Sequence, residues 1–117
     1  MSQKIELGKS GESIIAGYIK QRGYLLIDRN WRTKGGEIDL IASTPDGVIA
    51  FIEVKTRSSQ AFGHPLESIN AEKQSRLMRL ALAWLLENRK WNYPYRIDCA
   101  SVIMGETPQI DYRAGVI

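Results

Sequence analysis

The chain is predicted to form an α/β (α+β) domain in which helices and strands mix around one central sheet. Two apolar stripes at helical spacing point to it: Ile15, Ala16 and Ile19, and then Leu77, Leu80, Ala81, Trp84 and Leu85. Between and after them lie apolar runs of strand length, so the order reads α-β-β-β-α-β-β. Strict strand–helix alternation, the mark of a doubly wound sheet, is absent. A length of 117 residues suits one domain, 1–117, with enough buried surface to need no staples.

The first helix is expected from about residue 3 to Gln21, with Gly23 as its left-handed stop. Tyr24–Ile27 is then a short strand, and Asn30 to Gly36 reads as a basic turn or loop. Two strands follow, Glu37–Ser43 and Val48–Thr56, joined through Thr44-Pro45-Asp46-Gly47. Pro at the second position of a type I turn, followed by a Gly able to go left-handed, predicts a three-residue hairpin loop. Residues 57–68 look irregular. Asn70 is a candidate N-cap for a second helix, about Ala71–Arg89. Two strands complete the chain, about Tyr95–Met104 and Gln109–Arg113.

Composition narrows the chemistry. There are 16 Lys and Arg against 13 Asp and Glu, a net charge of +3. That permits an anionic partner without requiring one. A single cysteine, Cys99, excludes an internal disulfide framework and a multi-cysteine zinc site. A single histidine, His64, argues against a His-rich metal centre. Carboxylates, Lys, Arg and backbone must therefore carry any catalysis. The first residues hold no apolar leader, and Leu80–Leu86 is far shorter than the ~20 residues that span a bilayer. A cytoplasmic protein that engages no membrane is expected.

The informative stretches are Gly36-Glu37-Ile38-Asp39-Leu40-Ile41 and Phe51-Ile52-Glu53-Val54-Lys55-Thr56-Arg57. A three-residue loop pairs Thr44 with Val48, which sets Asp39 opposite Glu53 on one face, with Lys55 two residues along. A two-residue loop would set Asp39 opposite Ile52 and break the arrangement. Two facing carboxylates repel unless something neutralises them, and Mg²⁺ (or Mn²⁺) takes such oxygen ligands together with water and phosphate. Lys55 can then stabilise charge on a phosphate or orient an attacking water. An ordinary solvated cross-strand charge group fits the same residues. Strongly apolar neighbours weigh against it, because unpaired charge in a central strand pair is costly. Glu12 lies on the first helix's apolar stripe and is a candidate third acid. Alternatively, with Ser10 as N-cap, it sits in a first turn and only complements the helix dipole.

These residues resemble the PD-(D/E)XK nuclease superfamily, in which an Asp and an acid-x-Lys element on adjacent strands bind the catalytic metal. The matching elements here are Asp39 and Glu53-Val54-Lys55. The longer text is more specific: Gly11-Glu12 with Ala16, Asn30-Trp31-Arg32, Gly36 to Ile41, Phe51 to Arg57, Phe62-Gly63 and Arg96-Ile97-Asp98 resemble the bacterial YraN-like family of small endonuclease-like proteins. That family is in turn similar to archaeal Holliday junction resolvases. The resemblance implies a restriction-endonuclease-like core with a mixed central sheet flanked by helices. It also implies Glu12, Asp39 and Glu53 as metal-binding acids and Lys55 as the catalytic lysine. The implied activity is metal-dependent hydrolysis of DNA, including branched DNA. A homodimer or a DNA-processing protein partner is suggested by the same likeness.

Nucleic-acid contacts are expected from Arg32 and Lys34 in the basic loop and from Arg57 after the acid-x-Lys strand. Lys73, Gln74 and Arg76 on the second helix are further candidates, since phosphate contacts supply most nucleic-acid affinity. Arg79 fits a solvated helix face. His64 reads as an exposed loop residue, Trp84 as core and Cys99 as a buried strand residue, while Arg96 and Asp98 share a strand face as a structural pair. A competing reading keeps the fold and drops the catalysis: a module that binds nucleic acid or recruits a partner without cutting.

Overall fold

A computed structural model describes residues 3–58 and 70–117, with residues 3–6 as backbone only. Its elements are α1 (Gln3–Gln21), β1 (Leu25–Thr33), β2 (Gly36–Ser43), β3 (Ile49–Arg57), α2 (Ala71–Glu87), β4 (Tyr95–Ile103) and β5 (Gln109–Arg113). The expected order holds throughout. The five strands form one sheet in the order β1-β2-β3-β4-β5. Only β3 and β4 run parallel; the other pairs are antiparallel, so the sheet is mixed. The fold is α+β.

The two helices pack on two separate cores. Ile15, Ala16 and Ile19 of α1 bury against Leu40, Ala42, Ala50, Ile52, Ala100 and Val102. Leu77, Leu80, Ala81, Trp84 and Leu85 of α2 bury against Ile38, Ile41, Ile49, Phe51 and Ile97. Trp84 meets the Phe51 ring edge-on at 5.6 Å between centroids. Such pairs add ~0.5–1.5 kcal/mol beyond the area they bury. Trp84 is core, as its place in the stripe predicts.

The hairpin register also follows the expectation. Thr44 N–H donates to Val48 O at 2.8 Å, and Gly47 takes φ +85°. Leu40 pairs with Ile52, Ile41 with Phe51, and Ser43 with Ile49. The loop is therefore three residues long.

Two expectations need correction. Asn30 to Gly36 is no loop: β1 runs on to Thr33, and only Lys34-Gly35 turns. Pairing with β2 overrides the polar composition, because Trp31, facing Ile38, packs on the α2 core. Secondly, α2 stops at Glu87, not Arg89. Arg89 adopts φ 56°, its N–H bonds Leu86 O at 3.2 Å, and Lys90 N–H bonds Leu85 O at 2.7 Å. That is a Schellman stop made without glycine. The start of α1 at Gln3 is as expected and rules out the Ser10-cap alternative, since Glu12 lies more than two turns inside the helix and has no first-turn dipole role. The Asn70 cap is as expected, with its side chain accepting from Lys73 N–H at 2.9 Å.

The irregular segment with Phe62, Gly63 and His64 falls in 59–69, outside the described residues. Among the described residues no helix is long and apolar enough to cross a membrane.

Candidate active site

Side-chain alternation along β2 breaks between Ile38 and Leu40, and this break builds the site. Ile38 and Ile41 both face α2, although they are three residues apart, while Leu40 faces α1. The β1–β2 ladder pairs Trp31 with Ile38 and Arg29 with Leu40 but skips Asn30 and Asp39 between them. Asn30 sits at φ 50°, a left-handed conformation that Asn tolerates better than other non-glycine residues. Both strands therefore change face at this point. Asp39 is freed from the ladder, and its Oδ2 accepts from Val54 N–H of β3 at 2.8 Å.

Three carboxylates meet beside the break. Glu12 from α1 and Glu37 and Asp39 from β2 each bring one oxygen within 4.8 Å of the others. All three are half-buried. The α1 stripe that buries Ile15, Ala16 and Ile19 continues toward the helix N-terminus as Glu12, which delivers that carboxylate to the hairpin. Asn30 Nδ2 donates to Glu12 Oε1 at 2.9 Å and to Glu37 Oε1 at 2.7 Å, bridging the two acids. Arg32 Nε lies 3.1 Å from Glu37 Oε2. Gly8, Lys9, Glu12, Asn30, Arg32, Glu37 and Asp39 line an open cleft of about 480 Å³.

Asp39 is the most perturbed of these acids. Burial pushes its carboxyl up to about 7, helped by Glu53 and then by Glu12 and Glu37, against the lowering effect of the Val54 hydrogen bond. A carboxylate so disfavoured as an anion favours an incoming cation.

Glu53 and Lys55 stand next to this group as a pair of their own. Lys55 Nζ is 3.0 Å from Glu53 Oε1, and Glu53 is 8% exposed. Glu53 is near enough to Asp39 to raise its pKa, yet the carboxylates that converge are Glu12, Glu37 and Asp39. Sequence reasoning missed Glu37 and Asn30. Period-2 spacing already puts Glu37 on the face of Asp39, and that signal was available. Nothing in the sequence marks Asn30 as left-handed.

The basic candidates divide between the two sides of the hairpin. Arg32 joins the acidic cleft, and Lys34 is exposed at the turn. Arg57 ends β3, its Nε buried with no hydrogen-bond partner among the described residues. Lys73, Gln74 and Arg76 lie on α2, away from the acids, with Arg76 against Gly36.

Arg96 and Asp98 form the expected pair, Nε to Oδ1 at 2.9 Å. Fully buried Asp98 also accepts from Gly115 N–H at 2.9 Å and from the Tyr112 hydroxyl, and Arg96 donates to the Tyr24 hydroxyl at 2.6 Å. Burial and Asp98 push Tyr112 above its ordinary range. This network ties β4 to β5 and to the start of β1. Cys99 is buried, and burial, with Glu53 beside it, pushes its thiol up to about 12, so it is a poor nucleophile.

Fold and site thus define a small mixed-sheet domain that gathers carboxylates at a break between two strands. The chain belongs to the uncharacterised protein family UPF0102, whose profile matches residues 11–102. This is the YraN-like family of the sequence resemblance. A UPF0102 protein of Alkaliphilus metalliredigens is 48% identical over 106 residues, covering 91% of this chain and 92% of that one. A second, from Leifsonia xyli, is 41% identical over 119 residues and covers 100% of both. Among solved structures, SfsA of Pyrococcus furiosus in complex with Ca²⁺ aligns with a TM-score of 0.43 and 18% identity over 95% of this chain. This chain spans 63% of that protein's length.

Proposed function

We propose that the protein is a metal-dependent endonuclease that hydrolyses phosphodiester bonds of DNA at the Glu12–Glu37–Asp39 cleft. The observation that carries this reading is the convergence of three carboxylate oxygens within 4.8 Å in an open cleft. Cis and trans oxygens around an octahedral Mg²⁺ lie about 3–4 Å apart, so the donor set fits a hard divalent cation. Mg²⁺ or Mn²⁺ held there supplies Lewis-acid polarisation of the phosphodiester and a nucleophile at neutral pH.

The chain's own residues do the rest. Asn30 holds Glu12 and Glu37 in register, and the Val54 N–H fixes Asp39. Glu53 orients the Lys55 ammonium, which stabilises charge building on the phosphate oxygens. The open cleft admits a strand of DNA, and Lys34 at the turn favours a polyanion near its rim.

The test is cleavage of duplex, single-stranded and four-way-junction DNA with Mg²⁺ and with chelator. Metal-dependent cleavage lost in Asp39→Asn is expected. Equal background cleavage by wild type and variant would defeat the reading.

One observation favours a non-catalytic nucleic-acid-binding module instead. Arg32 already pairs with Glu37, and the Asn30 amide hydrogen-bonds both Glu12 and Glu37, without a metal. In that case Asp39→Asn leaves DNA binding intact, and wild type shows no metal-dependent cleavage.

A further inference from the structure

The β1–β2 hairpin has an acidic side and a basic side. Glu37 and Ile38 are adjacent on β2 and face opposite ways, so the α2 side of the hairpin is separate from the cleft. On that side lies a groove of about 320 Å³ between the hairpin end and α2, lined by Thr33, Gly35, Arg76 and Arg79 over an apolar floor that includes Leu80. An adjoining groove of about 220 Å³ shares Arg76 and Arg79 and adds Lys73, with Glu72 as its acid.

The hairpin is shaped for this groove. Gly36 takes φ +137°, and a Cβ there would come within 3.4 Å of Arg76 Cδ and Leu80 Cδ1. With Gly35 before it, the turn presents backbone and no bulk above the guanidinium. Arg76 Nε is fully enclosed and has no hydrogen-bond partner among the described residues. Arg76 also lines both grooves, so its guanidinium brings to them a charged donor suited to a phosphate oxygen. Arg79 is exposed beside it. The α2 N-terminus is not the attraction, because Asn70 already caps it.

We propose that Arg76 and Arg79, with Lys73, form a second phosphate subsite that takes a backbone phosphate of the DNA whose scissile bond lies in the cleft. The DNA then passes over the hairpin turn at Lys34 and is gripped on both sides of it. This rests on the nuclease reading for the identity of the polyanion.

Anisotropy of a fluorescein-labelled four-way junction, in chelator so that nothing is cut, tests the subsite across a salt series. Arg79→Gln, exposed and safe for folding, should weaken binding about threefold and reduce the salt slope by about 1. Arg76→Gln/Arg79→Gln should weaken it about tenfold and reduce the slope by about 2. Unchanged affinity and slope in both Arg variants, with wild-type metal-dependent cleavage present, would overturn the subsite and leave the nuclease reading standing. Absence of junction binding by wild type at low salt would overturn both.

Discussion

The Asp39 carboxylate takes the place of a strand partner: its Oδ2 accepts from the Val54 backbone N–H at 2.8 Å. The last β2–β3 pair in the ladder is Leu40 with Ile52. Beyond it the strands part, and a side chain holds the gap. This one bond places Asp39 beside Glu12 and Glu37, and it keeps the acid where burial raises its pKa to about 7.

The folded-state pKa of Asp39 is raised above its ordinary 3.8, so the native chain binds more protons than the unfolded chain between about pH 4 and 7. Stability must then fall as pH rises through that window, by at most about 4 kcal/mol, and the penalty is complete above pH 7. Urea unfolding in chelator should show this slope in wild type and a flatter one in Asp39→Asn. Mn²⁺ should restore the loss at pH 8. Identical pH profiles for the two proteins would contradict the assignment.

Asn30 should separate backbone need from amide need. Asn30→Ala places a side chain intolerant of φ 50° at the break and should cost about 1–2 kcal/mol. Asn30→Gly keeps the conformation and should be nearly neutral in thermal melting. Both remove the bridge between Glu12 and Glu37 and should weaken Mn²⁺ binding about tenfold. Full Mn²⁺ affinity in Asn30→Gly would show that the amide is dispensable.

These two residues also mark what the sequence does and does not reveal. The hairpin register was legible because Pro45-Asp46-Gly47 has only one good three-residue solution, and both helix stripes were legible from apolar spacing. The face change was hidden, because left-handed φ at Asn30 leaves no compositional trace. Glu53 was expected to share the metal with Asp39 by strict alternation. The structure adds Glu37 to the acids beside Asp39, while Glu53 pairs with Lys55 and still acts on the Asp39 carboxyl. The α2 stop was overrun for a similar reason, since Arg89 does the work usually given to glycine.

Packing of α1 should govern the site through Gly11. A Cβ there would lie 1.9 Å from Thr56 Oγ1 and 2.9 Å from Thr56 Cβ. Rotating the threonine cannot relieve the Cβ contact, so α1 must move. Gly11→Ala should destabilise by about 1–3 kcal/mol and displace Glu12 from the other acids. Thr56→Gly should rescue both stability and Mn²⁺ binding. A neutral Gly11→Ala would contradict the α1–β3 contact.

Asp98 should be the costliest acid to remove outside the cleft. Asp98→Ala strands Arg96, the Tyr112 hydroxyl and the Gly115 N–H, at about 3–5 kcal/mol. Tyr112→Phe removes one donor and should cost about 1–2 kcal/mol. Chemical denaturation of both variants gives the comparison, and equal losses would mean the network is not centred on Asp98.

Glu37 is the sharpest probe of a metal-holding cleft, because its carboxylate meets Glu12 and Asp39 in the folded chain. The measurement is Mg²⁺-dependent cleavage of four-way-junction and duplex DNA by wild type and Glu37→Gln, with folding verified by melting. Wild type should cleave, chelator should abolish the cleavage, and Glu37→Gln should lose at least about a hundredfold (~2.7 kcal/mol). Wild-type cleavage rates in Glu37→Gln, or wild-type cleavage that survives chelator, would contradict a metal-holding cleft.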